Sequence, residues 1–177
     1  MSYQIRQEKE TDYPFTENVV SQAFLHEQHS DHSEHQLVHR LRESEAFIPE
    51  LSLVAVDNSE SVIGHILLTK ISIDCKNRIS PSLALAPVSV LPAYQYQGIG
   101  SQLIQAALKQ ARELGHSSVI VLGHPDYYPK FGFRKASEWQ IKAPFDVPDE
   151  TFMAIELTDG SLRNIQGTVR YSAAFDQ

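Results

Sequence analysis

The passage from Leu83 to Leu114 constrains this chain most. An apolar run, Leu83 to Leu91, broken only by Pro87 and short polar steps, leads through a brief loop to Gly98 and Gly100. Beyond them the apolar positions are Ile99, Leu103, Ile104, Ala107, Leu108, Ala111 and Leu114. Steps of three and four put these on one face, so the spacing predicts a helix from Gly98 to Leu114. Gly115 is placed to stop it. A helix with such a face must cover an apolar layer, and the preceding run supplies a strand for one.

The flanking sequence predicts the rest of that layer. Tyr3 to Gln7 alternates as a first strand. Thr11 or Asp12 is placed to cap a helix carrying Val19, Val20, Ala23 and Phe24, and Leu37, Val38 and Leu41 suit a second. Leu51 to Val56 and Val62 to Ile73 read as a strand pair around the turn Asn58 to Ser61, followed by a loop from Asn77 to Pro81. Ser118 to Leu122 has the continuous Val/Ile character of a buried strand. Further strands are expected at Trp139 to Lys142, Thr151 to Leu157 and Thr168 to Tyr171. Strands adjacent in sequence, mixed with helices, predict an α+β mixed sheet and not strict βαβ alternation.

Composition narrows the function. A chain of 177 residues, 42% hydrophobic and 21% charged, is expected to form one domain over 1–177. A net charge of −7 with no basic run argues against gripping nucleic acid. No stretch nears the roughly 18 apolar residues of a membrane span, and Met1 to Lys9 lacks an apolar signal core. The expectation is a soluble, cytoplasmic protein that binds neither nucleic acid nor membrane. The lone Cys75 can build neither an internal disulfide nor a cysteine zinc site; it reads as a small strand residue.

Gly98 and Gly100 stand where a loop enters a helix. There the first-turn N–H groups lack intrahelical partners, the helix dipole is positive, and glycine lets a ligand reach the backbone. The arrangement suits phosphate or pyrophosphate; the glycines alone could equally serve only to turn the chain. A dinucleotide fingerprint wants a third glycine where Leu103 stands, and the Gly-Lys-Ser/Thr of a P-loop is absent. Pro87 marks a bulge or a parting of neighbouring strands, which would bare backbone groups to an extended ligand carrying amides. Phosphate at a helix end with amides along a strand describes coenzyme A.

At Gln95-x-x-Gly98-x-Gly100, after Val88-x-Val90-Leu-Pro, the chain resembles the first motif of the GCN5-related N-acetyltransferase (GNAT) family. Tyr128-Pro-Lys-Phe-Gly132-Phe133 resembles the family's Tyr-x-x-x-Gly-Phe. The lead-in Gly-His-Pro-Asp-Tyr-Tyr, with Gly64-His-Ile-Leu and Phe152-Met-Ala-Ile-Glu-Leu, is similar to a bacterial YhbS-like branch. The resemblance spans residues 3–157 and leaves 158–177 as a C-terminal strand extension. It implies the family fold, a mostly antiparallel central sheet with parted central strands and flanking helices. It implies acetyl-CoA as cosubstrate, no metal, a small-molecule or peptide amine as acceptor, and a fold compatible with a homodimer. Backbone at Val88 and Val90 would pair with the pantetheine arm. Gln95, Tyr96, Gln97, Gly98, Ile99, Gly100 and Ser101 would wrap the pyrophosphate, and Tyr128 would be the general acid. A phenol of ordinary pKa, about 10, holds a proton at neutral pH that a departing thiolate can take.

The chain departs from the family pattern twice. No acid lies between Leu83 and Leu91, which leaves Glu27, Glu50, His65 and Asp126 as base candidates. Val121 stands where many members have asparagine, with His124 or Asp126 as substitutes. The missing acid supports an alternative, a non-catalytic acyl-CoA-binding sensor or interaction module. Histidines 26, 29, 32, 35 and 39 drift around a helix, only His35 and His39 are one turn apart, and a solvated or acceptor-side face is expected. With Glu27, Asp31 and Glu34 that face would border the acceptor.

Overall fold

Alternating and continuous apolar runs become the strands of one sheet in the computed structural model, which describes residues 2–28 and 30–176; His29 lies outside the described residues. In chain order the elements are β1 (Tyr3–Gln7), α1 (Tyr13–Ala23), α2 (Glu34–Arg42), β2 (Ser52–Asp57), β3 (Val62–Cys75), β4 (Arg78–Val90), α3 (Ile99–Glu113) and β5 (Ser118–Leu122). Then come β6 (Arg134–Lys135), β7 (Ile141–Lys142), β8 (Phe152–Glu156) and β9 (Gly167–Arg170), with 3-10 turns between several of them. The sheet order is β1-β2-β3-β4-β5-β8-β6, and β9 pairs with both β3 and β7. Pairing is antiparallel except for β4–β5 and β7–β9. The expected mixed, mostly antiparallel sheet is therefore present.

The two long strands set its scale. β3 runs 14 residues and meets β2 along its first half and β9 along Ser72–Cys75. The expected loop from Asn77 to Pro81 is instead the start of β4, paired back to Cys75 through Arg78. β9, arriving from the far end of the chain, stiffens this part of β3, and the ribbon continues past Pro81. Trp139 likewise lies in a 3-10 turn, Ala136–Trp139, and not in a strand; the Arg134 guanidinium sits 5.3 Å from its ring.

α3 lies on one face of the sheet. Ile99, Leu103, Ile104, Ala107, Leu108 and Ala111 are buried against Ile66, Leu83, Leu85, Val119 and Val121. Its end is a Schellman turn: Gly115 has φ +90°, its N–H donates to Arg112, and His116 N–H donates to Ala111 at 3.0 Å. On the opposite face, Val20 of α1 and Val38 and Leu41 of α2 pack with Leu67 of β3.

A buried polar network ties α2 to the sheet. Arg42 donates to Glu8 at 2.7 Å and to Glu17 at 2.9 Å. Ser52 Oγ donates to Glu8 at 2.7 Å and meets His65 Nε2 at 3.0 Å. Burial outweighs the attraction of Glu8 and pushes the His65 imidazole down to about 4 from 6.5. For Glu8 burial acts upward, but charge from His65 and Arg42 prevails and holds it below the usual carboxylate range.

Both groups are depressed in the folded state, so the unfolded chain takes up protons first as pH falls. Stability is complete above about 6.5, the unfolded histidine value, and drains as pH drops toward 4. Thermal melts from pH 7 to 4 should show Tm falling steeply across this window. A flat Tm would show that the network does not titrate on unfolding.

Candidate active site

The β4–β5 pairing is the structural origin of the site. The two parallel strands match only at Leu83↔Val119 and Ala84↔Ile120. Beyond these pairs β4 bulges against β3 between Ile66 and Leu68, where Ala86 and Pro87 oppose Leu67. Farther along, Leu91 N–H donates to Ile63 at 2.9 Å. Backbone direction alternates along a strand, so Ser89 and Leu91 face β3 while Val88 and Val90 turn their N–H and C=O toward the gap. The Gln95 side chain donates to Val90 C=O across that gap at 3.0 Å.

At the open end the chain turns through Pro92–Tyr94 into α3. Tyr96 (φ +63°) and Gly98 (φ +86°) are both left-handed, and Gly98 caps the helix. A Cβ on Gly98 would meet no atom within 4 Å, so only its backbone conformation asks for glycine. Gly100 has neither a left-handed φ nor a tight neighbour; its nearest atom would be Tyr127 Oη at 3.5 Å. A side chain there would enter the space over the helix N-terminus, in ordinary contact with the Tyr127 hydroxyl and Val90.

That space is a cleft of about 370 Å³. Val90, Gln95, Tyr96, Gly98, Ile99, Gly100 and Ser101 line it, seven of the residues picked out from sequence. Val88 and Gln97 do not. Val88 packs its side chain against the α3-side core, and Gln97 is exposed. Tyr94, Tyr127 and Lys130, none of them assigned to the coenzyme from the sequence, complete the lining. The Tyr127 hydroxyl is 3.1 Å from Ser101 Oγ, and Lys130 Nζ lies 4.2 Å from the Tyr127 ring centroid. The cleft thus joins unpaired first-turn N–H groups to one flexible cation, a donor set suited to phosphate oxygens.

Tyr128 lies beside this cleft but not in its lining. Its ring is 7% exposed and meets Tyr127 and Phe133 edge-on at 5.2 and 5.7 Å. Burial, aided by Tyr127, raises its pKa far above the phenol range, so the hydroxyl keeps its proton. Gly123, directly after β5, makes room for the ring: a Cβ there would overlap it. This glycine heads the Gly-His-Pro-Asp-Tyr-Tyr lead-in picked out from the sequence, and the ring contact supplies its physical reason.

A second, larger cleft of about 700 Å³ opens where β4 leaves β5. Ala84, Ala86, Ile120 and Leu122 form part of its floor, and Phe145, Tyr171 and Phe175 its aromatic wall. Ala84 and Ile120 belong to the apolar layer facing away from α3. None of Glu27, Glu50, His65 and Asp126 lines either cleft. His65 is engaged with Ser52. Among the described residues the histidine-bearing segment does not border the larger cleft; residues 144–145, 168–171 and 175–176 do. Among the described residues no group of three or more His, Cys, Asp or Glu is placed to hold a metal, and no helix is long and apolar enough to cross a membrane.

Comparison with known proteins places this geometry. Residues 4–133 match the model of the acetyltransferase (GNAT) family. The N-acetyltransferase YhbS of Escherichia coli K12 is 31% identical over 155 residues, 88% of this chain and 90% of the relative. The E. coli N-acetyltransferase YjhQ is 38% identical over 118 residues, 66% of this chain and 65% of that one. The crystal structure of YhbS in complex with CoA superposes with a TM-score of 0.88 at 28% identity, covering 99% of this chain and 92% of that one. A Brucella melitensis GNAT acetyltransferase in complex with acetyl-CoA gives 0.81 at 32% identity, covering 99% of both chains.

The two glycines should separate in stability. Gly98→Ala forces a Cβ into the left-handed region and should cost about 1 kcal/mol. Gly100→Ala, in an ordinary helical position, should be neutral or add up to about 1 kcal/mol. Urea unfolding of the two variants measures both; a large loss at Gly100 would show that the fold itself requires that glycine.

Proposed function

The chain belongs to the acetyltransferase (GNAT) family and is an N-acetyltransferase, and from that premise we propose how its own residues carry the reaction. Acetyl-CoA is the cosubstrate and a primary amine the acceptor. Relatives solved with CoA and acetyl-CoA support the donor. The observation that carries the reading is the coincidence of two features: the helix N-terminus with its uncluttered Gly100, and the outward backbone of Val88 and Val90 beside it.

The N–H groups at the start of α3, with Lys130, hold the pyrophosphate. Gln95, Tyr96, Ile99 and Ser101 border it, and Gln97 caps the outer side of the turn. The amide-bearing arm lies along β4 as an added strand against Val88 and Val90. This carries the thioester into the gap between β4 and β5. The amine nitrogen attacks the carbonyl carbon there; the C–N bond forms, the C–S bond breaks, and the Tyr128 hydroxyl gives its proton to the sulfur. The amine loses one proton, which restores the phenol through solvent. Holding both partners in the gap replaces a bimolecular encounter with an oriented one.

Tyr127 and Tyr128 divide the work, and their variants should show it. Tyr128→Phe should lower kcat about 10²-fold or more and leave the acetyl-CoA KM unchanged. Tyr127→Phe, which loses only the Ser101 contact, should raise the acetyl-CoA KM a few-fold with kcat nearly intact. Thiol release under saturating amine measures both; full turnover by Tyr128→Phe removes it as the acid. Because burial raises the Tyr128 pKa, its acid form persists at high pH. Activity should therefore climb with pH as the amine deprotonates, without falling between pH 7 and 10. Calorimetry with acetyl-CoA tests the donor site itself: Gly100→Trp should abolish binding in a protein that still melts cooperatively.

A further inference from the structure

The larger cleft shares no lining residue with the cleft proposed for the coenzyme's phosphates. Its floor is the parted stretch of β4 and β5, on the face away from α3. The donor cleft uses the same strand four residues on, at Val90, about 13 Å from Ala86. An acceptor in the larger cleft therefore reaches the gap from the side opposite the coenzyme's phosphates.

The wall of the cleft states a chemistry. Phe145 and Tyr171 lie nearly parallel, 21° apart with centroids at 6.0 Å, and Phe175 continues the row at 5.1 Å from Tyr171. Phe152 meets Phe145 edge-on behind them. Burial pushes the Tyr171 hydroxyl up to about 12, so this wall carries no charge under ordinary conditions. At about 700 Å³ the space falls within the range that encloses a drug-sized molecule.

The charges sit at the rim. Asp74 is paired with Arg170. Asp176 has no basic partner within 4 Å among the described residues, which leaves the rim with one uncompensated negative charge. A polyamine would need several carboxylates spaced along its length, and a sugar or peptide would need a dense set of hydrogen-bonding side chains. The lining offers neither: besides Asp74, Arg170 and Asp176 its polar side-chain groups are Thr168 and the Tyr171 hydroxyl.

Resting on the acetyltransferase reading, we propose that the acceptor is an arylalkyl primary amine, its flat ring laid on the Phe145–Tyr171–Phe175 wall and its amine led in by the Asp176 carboxylate. Ring-on-ring contact in offset or edge geometry supplies the selectivity, and the carboxylate favours a cation at the mouth. The reaction is R–NH₂ plus acetyl-CoA giving R–NH–CO–CH₃ plus free CoA.

The test uses the full chain and acetyl-CoA, with 2-phenylethylamine, tryptamine, n-hexylamine, spermidine and a dipeptide as acceptors. The aryl amines should exceed spermidine and the dipeptide in kcat/KM by about tenfold or more. Phe145→Ala should raise the KM for 2-phenylethylamine about tenfold, and Asp176→Asn a few-fold, with acetyl-CoA affinity by calorimetry unchanged. Phe145 is 45% exposed, and Phe145→Leu, which keeps an apolar side chain, separates a lost ring from a lost fold. A preference for spermidine or the dipeptide overturns the inference. So does n-hexylamine turned over as well as 2-phenylethylamine, an unmoved KM in both Phe145 variants, or acetyl-CoA binding with no aryl amine acetylated. In each of these the donor reading stands. Failure to bind acetyl-CoA at all would bring down the donor reading and the inference with it.

Discussion

Everything in the site follows from two strands that pair briefly and then separate. β4 and β5 share two residue pairs, and past Ala84 and Ile120 the backbone of β4 has a neighbour on one side only. Inside a sheet, unpaired N–H and C=O groups are costly unless something else meets them. Here Val90 C=O is met by the Gln95 side chain, and the rest of the edge faces a cleft. The separation is held open from both faces. α3 anchors Leu83, Leu85, Val119 and Val121 on one side, while the layer around Ala84, Ile120, Phe152 and Val169 fixes the other.

Electrostatics explains why the anion site is built from backbone. The chain carries a net −7, and its long-range field repels a polyanionic cosubstrate. Local donors must overcome that field at short range. N–H groups at a helix start cannot be neutralised or swung away, and they add no mobile charge for the surrounding acids to pair. Lys130 contributes the one flexible cation of the cleft lining, held over the Tyr127 ring where it needs no carboxylate partner.

The sequence disclosed the cleft at the start of α3 more fully than the larger cleft, for a physical reason. The first is local: strand, glycine turn and helix follow one another from Val88 to Ser101, so short-range rules of periodicity and capping describe them. α3 and its Gly98 and Gly115 ends come out within a residue of expectation. The start of β4 was hidden because Pro81 and its polar neighbours look like a breaker until β9 is laid beside β3. The aromatic wall was hidden altogether. Tyr171 and Phe175 are four residues apart, but Phe145 lies far upstream of both; only the return of β9 to β3 brings the three over Ala84 and Ile120. Gly123 lies between these cases: it heads a motif visible in the sequence, but its need for a missing side chain is set by a ring five residues away.

The route of β9 also has an evolutionary consequence. The family match ends at Phe133, and the wall of the larger cleft is built wholly from residues beyond it. The loop proposed for the donor and the wall of the larger cleft are therefore separate stretches of one chain, although β8 of the later stretch pairs with β5 and its Met153 and Ile155 share the core beneath α3. The wall residues Phe145, Tyr171 and Phe175 stand outside that shared core and can change without disturbing it. Lineages that inherit the same first three-quarters of the chain can diverge at these wall positions while the β5–β8 pairing stays fixed, so exchanging the wall residues, and not the whole tail, is the direct way to swap one cleft's character for another.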